Sequence, residues 1–244
     1  MDTSSPSSSS LYILVIAHPD DECMFFLPTL LHFRSVMGSA QVWVVCLSNG
    51  NYEGKGSLRE MELKTACRIV GVHKCFCVNV LPDDPRATWP ATTISRALDA
   101  VLLETLQQDD HFSSLTLLTF DQGGVSGHSN HVDTYRGVQY WLSHHHDHTN
   151  TTTFQNKLVT GWKLATVSNI LVKYIPILWL PCILYFHLFT PAGWCLYWTS
   201  SIRLVWRAMA AHSSQFVWYR RLSVVFSQYS YSNAWSEIQI LKEE

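Results

Sequence analysis

The sequence predicts an α/β protein: a Rossmann-like, mostly parallel sheet flanked by helices, with a C-terminal hydrophobic, helical, membrane-associated segment. Three observations carry this. Runs such as LYILVIA at 11–17 are apolar throughout, as strands covered on both faces by helices are. These runs alternate with stretches of helical apolar spacing, the mark of βαβ units joined by right-handed crossovers. From Tyr174 to Ile202 there is no Asp, Glu, Lys or Arg. The chain divides accordingly into a serine-rich tail at 1–10, expected to be disordered, a Rossmann-like domain at 11–170, and an aromatic, helical segment at 171–244 packing on that domain.

The first strand, Leu11 to Ala17, ends in the polar cluster His18-Pro19-Asp20-Asp21-Glu22. ECMFFLPTLLHFRSVMG then has helical spacing, with Pro28 marking a bend or a new turn and Gly38 a stop. AQVWVVCLSNG reads as a second buried strand. GSLREMELKTACRIVGV follows as a helix, with Ser57 and Glu60 at capping-box spacing and Gly71 closing it. KCFCVNV is a third strand, TTISRALDAVLLETLQQ a helix with Thr92 or Thr93 as its expected cap, and LTLLTF a fourth strand. No Gly-rich fingerprint follows the first strand, so a dinucleotide or nucleoside triphosphate site has no support.

Over 244 residues the net charge is -2 and no basic block occurs, which argues against nucleic acid as a partner. Seven cysteines without paired C-x-x-C knuckles read as buried thiols of a reducing compartment. The N-terminus lacks the basic and apolar regions of a secretory signal.

The chemistry lies in two clusters, each at the C-terminal end of a predicted strand, where open α/β sheets place their ligand crevices. One is HPDDE at 18–22; the other is DQGGVSGHSNH at 121–131. If both loops meet on one rim, His18, Asp21 and His131 come within reach of one ion. Two imidazoles and one carboxylate are the ligand set of a catalytic zinc site with an open position for water; another divalent ion would suit the same donors. Asp20 would then be free to serve as general base and later as acid. His128 would face the oxyanion as it forms, and Asn130 would orient His131 or its loop. Glu22 would support the site from behind.

AHPDDE followed at this distance by GVSGHSNH resembles the PIG-L/LmbE-like deacetylase family, and DQGGVSGHSNH resembles its eukaryotic branch. The likeness covers nearly the whole chain, including LSNGNYEGKGSLREMELKTACRIVG and WYRRLSVVFSQYSYSNAW. It implies zinc on His18, Asp21 and His131, Asp20 as base and His128 at the oxyanion. It also implies that Arg59 faces substrate and that Glu62 supports the site. The activity implied is de-N-acetylation of N-acetylglucosaminyl-phosphatidylinositol, the second step of glycosylphosphatidylinositol (GPI) anchor synthesis. The implied address is the cytosolic face of the endoplasmic reticulum membrane. Alternatives are deacetylation of a soluble N-acetyl amino sugar, or a non-catalytic membrane scaffold.

Two further segments bear on function. HHHDH at 144–148 reads as an exposed loop that binds metal only adventitiously. In the charge-free stretch 174–202, Pro176, Pro181 and Pro191 argue against one straight spanning helix, and its Trp and Tyr residues suit the membrane–water interface. Eukaryotic members of the family generally carry a transmembrane helix before the first strand. None precedes Leu11 here, so anchoring is expected to rest on the C-terminal segment.

Overall fold

The computed structural model describes residues 9–36, 40–84, 86–106, 112–144 and 157–240. Seven strands, β1 (Ser9–Ile16), β2 (Gln41–Cys46), β3 (Lys74–Cys77), β4 (Phe112–Thr119), β5 (Leu158–Leu164), β6 (Trp194–Trp198) and β7 (Ser232–Glu237), form one sheet. Its order is β3-β2-β1-β4-β5-β7-β6. The first five strands are parallel; β7 lies antiparallel on β5, and β6 antiparallel on β7. Ten helical stretches accompany them among the described residues: α1 (Asp21–Phe25), α2 (Leu27–Val36), α3 (Gly56–Val70), α4 (Ala91–Leu106), the single turn α5 (Gly124–Gly127), α6 (Ser129–His144), α7 (Ile170–Tyr174), α8 (Pro176–Leu188), α9 (Ile202–Ala210) and α10 (Trp218–Phe226).

β1 is central because its side chains are apolar in both directions. Ile13, Val15 and Ile16 are fully buried beside Val44, Val45 and Leu117, so both faces need a helical cover. The sheet order reverses between β1 and β4, each of which pairs with the other and sends its crossover to opposite sides. This is the switch point at which α/β sheets open a crevice beyond their strand ends. The loops carrying HPDDE and DQGGVSGHSNH both leave from it.

Several details differ from expectation. β1 starts at Ser9, inside the predicted tail, because Ser10 aligns with Ser114 and its hydroxyl is bonded there at 2.9 Å; residues 1–8 lie outside the described part. Helix α3 is not opened by a Ser57–Glu60 capping box. Asn51 Oδ1 accepts from Gly56 N–H at 2.8 Å instead, and Glu60 is engaged by Asn49 Nδ2 at 3.1 Å. Thr92 and Thr93 both lie within α4, whose first N–H groups reach the Pro90 carbonyl. Gly71 does end α3, at φ 88 with its N–H on Cys67 O.

The C-terminal part is not helical throughout: β6 and β7 extend the same sheet as two antiparallel strands. Trp235 of β7 is wholly buried, and its indole N–H donates to Thr29 Oγ1 at 2.8 Å. Among the described residues no helix is long and apolar enough to cross a membrane.

Candidate active site

The two motif loops line one cleft of about 340 Å³ at the β1/β4 switch point. His18, Asp20, Asp21, Arg59, His128 and His131 all border it.

Asp21 opens α1, where both its oxygens have partners. Oδ2 accepts from Ala17 N at 3.1 Å and His18 N at 2.8 Å, which turns Oδ1 toward His131 Nε2 at 3.1 Å. Burial alone would raise its pKa, yet His131 and His18 outweigh that and hold the carboxyl far below the usual carboxylate range. His131 stacks on Phe120 at 4.2 Å and 4°, and its Nδ1 meets Gly124 O at 3.0 Å. That carbonyl requires the proton on Nδ1. Nε2 and Asp21 Oδ1 then face each other as two electron-pair donors, an arrangement that needs a cation between them: a second ring proton or a metal ion.

His18 Nε2 lies 3.1 Å from Asp83 Oδ1 and 3.1 Å from Asn130 Nδ2. Asn130, expected to orient His131 or its loop, has its side-chain amide on His18. His128 stands 5.1 Å from the His18 ring and 5.0 Å from the His131 ring. Burial, then the neighbouring His131 and His18, lower its pKa, and among the described residues its buried Nδ1 has no hydrogen-bond partner. One nitrogen from each of His18, His128 and His131 falls within 4.8 Å of the others. The donor set of three imidazoles and the Asp21 carboxylate thus fits a divalent ion of the zinc type, with one imidazole more than a three-residue catalytic site uses.

Asp20 sits at φ 118, one of three non-glycine residues at positive φ among those described. Its neighbour Glu22 helps hold this conformation: Oε2 accepts from Asp20 N at 3.1 Å, while Oε1 receives His212 Nε2 at 2.5 Å. Glu22 and His212 are both fully buried. Burial favours the neutral imidazole, but the Glu22 carboxylate prevails and raises the His212 pKa. The Asp20 carboxylate meets two guanidinium groups, Arg59 Nη2 at 3.3 Å and Arg220 Nη1 at 2.5 Å. Its pKa is nonetheless raised, because burial outweighs both arginines.

Arg59 projects from α3 and is fixed by Pro19 O at 2.6 Å and Gly50 O at 3.0 Å. Gly50 must lack a side chain here: at φ 69 a Cβ would overlap the Arg59 guanidinium. Glu62, one turn along, does not reach the cleft. It accepts from Ser213 Oγ at 2.8 Å and from Ser214 N and Oγ at 2.8 and 2.6 Å, tethering the loop that precedes α10.

Asp83, Gln215 and Arg220 border the cleft without having been expected there. Asp83 had a readable signal, an acid in the loop after the third predicted strand and so on the same rim. Arg220 had only its place in the family-like stretch WYRRLSVVFSQYSYSNAW, which does not point to Asp20, 200 residues away. The His131 loop is braced from the segment after β5 and from α7: Val125, at φ 61, donates its N–H to Thr166 Oγ1 at 2.9 Å, and its carbonyl accepts from Lys173 Nζ at 2.5 Å. Of the HHHDH run only His144, the last residue of α6, falls among the described residues; 145–148 lie outside them.

Comparison with known proteins agrees with this layout. The family described as PIG-L: GlcNAc-PI de-N-acetylase matches residues 13–142. The N-acetylglucosaminyl-phosphatidylinositol de-N-acetylase of Bos taurus is 36% identical over 235 residues, covering 94% of this chain and 84% of that protein. A probable N-acetylglucosaminyl-phosphatidylinositol de-N-acetylase of Dictyostelium discoideum is 30% identical over 261 residues, covering 93% of each chain. In fold, the N,N'-diacetylchitobiose deacetylase of Pyrococcus horikoshii superposes with a TM-score of 0.62 at 15% identity, over 93% of this chain and 83% of that one.

Proposed function

The chain belongs to the PIG-L family of GlcNAc-PI de-N-acetylases, and from that premise we propose that it removes acetyl from N-acetylglucosaminyl-phosphatidylinositol in the second step of GPI-anchor synthesis. The observation that carries this reading is the facing pair His131 Nε2 and Asp21 Oδ1, 3.1 Å apart and calling for a cation, with the unligated carboxylate of Asp20 beside it.

His18, Asp21 and His131 would hold the ion, proposed to be zinc. A divalent ion there supplies Lewis acidity toward the acetyl carbonyl and the attacking water. Asp20 takes the proton as the water oxygen bonds to the carbonyl carbon. His128 donates a hydrogen bond to the oxygen that becomes negative. When the C–N bond breaks, Asp20 returns its proton to the departing sugar nitrogen, leaving acetate and the glucosaminyl lipid. A carboxyl group with a raised pKa suits both halves of that exchange. Arg59, at the cleft wall and anchored to two carbonyls, is placed to meet sugar hydroxyls.

Because the substrate is a lipid, we place the exposed apolar faces of α8 and α10 against a membrane surface. Ile177, Leu184, Leu188 and Trp218 are 59 to 78% exposed.

The test is turnover of N-acetylglucosaminyl-phosphatidylinositol in mixed micelles by wild type, by chelator-treated protein and by Asp20→Asn. Acetate release should need the metal and fall by ~10²–10⁴-fold in Asp20→Asn, the range for a lost general base. Wild-type turnover by Asp20→Asn with its ion retained would refute the assignment of the base.

A further inference from the structure

The two sides of α10 face different worlds. Its inner side sends Arg220 into the cleft, where Nη1 meets Asp20 Oδ2 at 2.5 Å and Gln215 Oε1 at 2.7 Å. Its outer side shows Trp218, Tyr219 and Leu222, which are 71, 55 and 49% exposed. The helix is joined to the apolar α8 through Trp179, whose indole N–H donates to Phe226 O at 3.0 Å and whose ring stacks on Tyr231. It also packs on α7.

Among the described residues, the Asp20 carboxylate is oriented by two guanidinium groups alone. Asp20 stands at the cap position of α1, but its side chain makes no cap hydrogen bond. Of the two, Arg59 is tied to the body of the domain through Pro19 O and Gly50 O. Arg220 is tied only to Gln215, in the loop entering its own helix. A shift of α10 therefore moves one of the two groups that aim the carboxylate and leaves the other in place. Displacements near 1 Å at a reacting group are worth ~100-fold in rate.

We propose that Arg220 is a positioning residue that couples lipid docking to catalysis: seating the outer face of α10 on a bilayer fixes the arginine that aims Asp20 at the substrate. This rests on the reading of Asp20 as general base. The partner of the outer face is a lipid surface, because aromatic and aliphatic side chains continue from α10 onto α8, and because the substrate named for the relatives carries acyl chains.

The experiment uses the full-length, metal-loaded chain and a soluble substrate, N-acetylglucosaminyl-inositol phosphate without acyl chains, with and without substrate-free phosphatidylcholine vesicles. Wild-type kcat on this headgroup should rise several-fold when vesicles are added, with KM little changed. Arg220→Gln should lower kcat by at least ~10-fold without loss of bound metal, and vesicles should no longer raise it. Arg220→Lys should recover part of the rate, since it restores a cation but not the planar fork. Trp218→Ser/Leu222→Ser should keep the vesicle-free rate and lose the vesicle response. No response to vesicles in wild type, or a response that persists in Arg220→Gln, overturns the coupling. A kcat within two-fold of wild type in Arg220→Gln, while Asp20→Asn is inactive, overturns the positioning role and with it the coupling, and leaves Asp20 as the base. Wild-type turnover by Asp20→Asn instead removes the general base on which both rest. Among the described residues the Arg220 side chain bonds to Asp20 and Gln215 at a partly exposed position, so the variants should retain the wild-type melting temperature within a few degrees.

Discussion

At the scale of single residues, three imidazoles crowd a site that needs two. His131 is held by Phe120 and Gly124, and His18 by Asn130 and Asp83, whereas His128 Nδ1 has no partner among the described residues. A ligand should be braced on its far side and an oxyanion donor need not be. His131→Ala is therefore expected to purify without its ion. His128→Ala should keep the ion and lose ~10²–10³-fold in kcat; elemental analysis of both proteins beside their turnover decides the point, and an ion-free His128→Ala would make it a ligand. Gly50→Ala should cost activity without touching the metal, because the new Cβ displaces Arg59. Much of this site was legible because its residues sit in two short runs at strand ends, where chemistry and position can be read together. Asp83 and Arg220 are single charged residues in ordinary surroundings; only the folded chain brings them to His18 and Asp20.

At the scale of elements, the parallel core was readable because buried strands and amphipathic helices differ in period. The antiparallel edge was not. β7 reads SNAWSE, with no continuous apolar run, and β6 reads WCLYW within the charge-free stretch predicted to be helical. Their pairing is decided by tertiary contacts such as Trp235 against Thr29. The loop before α10 is held in a similar long-range way, by Glu62 of α3. Burial alone would raise the Glu62 pKa, but its bonds from Ser214 and Ser213 prevail and lower it from 4.5. A carboxylate with a depressed folded pKa stabilises the protein above its unfolded pKa, and that contribution is lost as pH falls through the folded value. Thermal melts should therefore show wild type losing stability below about pH 4.5 more steeply than Glu62→Gln, whose side chain does not ionise. At neutral pH Glu62→Gln should itself be less stable by ~1–3 kcal/mol, as it forfeits charge-assisted bonds to Ser213 and Ser214. The fully buried Glu22–His212 pair is a second tether, between α1 and the end of α9. His212→Ala should cost ~3–5 kcal/mol, the effect of leaving one member of a buried pair alone. Equal melting curves for His212→Ala and wild type would show that the pair holds nothing.

At the scale of the whole molecule, the cleft and the apolar helices are carried by one sheet, so the proposed lipid docking has to be judged from the geometry of α8. Helix α8 has 13 residues, ~20 Å at 1.5 Å per residue, against a hydrocarbon core of ~30 Å. It is too short to span, and it carries no charged group among Ile177, Leu180, Leu184, Tyr185 and Leu188, all more than half exposed. On the lipid reading proposed above, such a helix would lie along the bilayer surface rather than across it. Full burial of a Leu or Ile side chain is worth ~1.5–3 kcal/mol, so even partial insertion of three of them sums to several. Wild type is expected to float with phosphatidylcholine vesicles in a density gradient. Ile177→Ser/Leu184→Ser/Leu188→Ser should lose at least ~100-fold in partitioning, and its melting temperature should not fall, since these side chains already face outward. Headgroup hydrolysis without vesicles should be unchanged in the same protein, because none of the three borders the cleft. If the triple variant floats as wild type does, the apolar face of α8 has some other partner and the orientation of the cleft toward lipid must come from elsewhere.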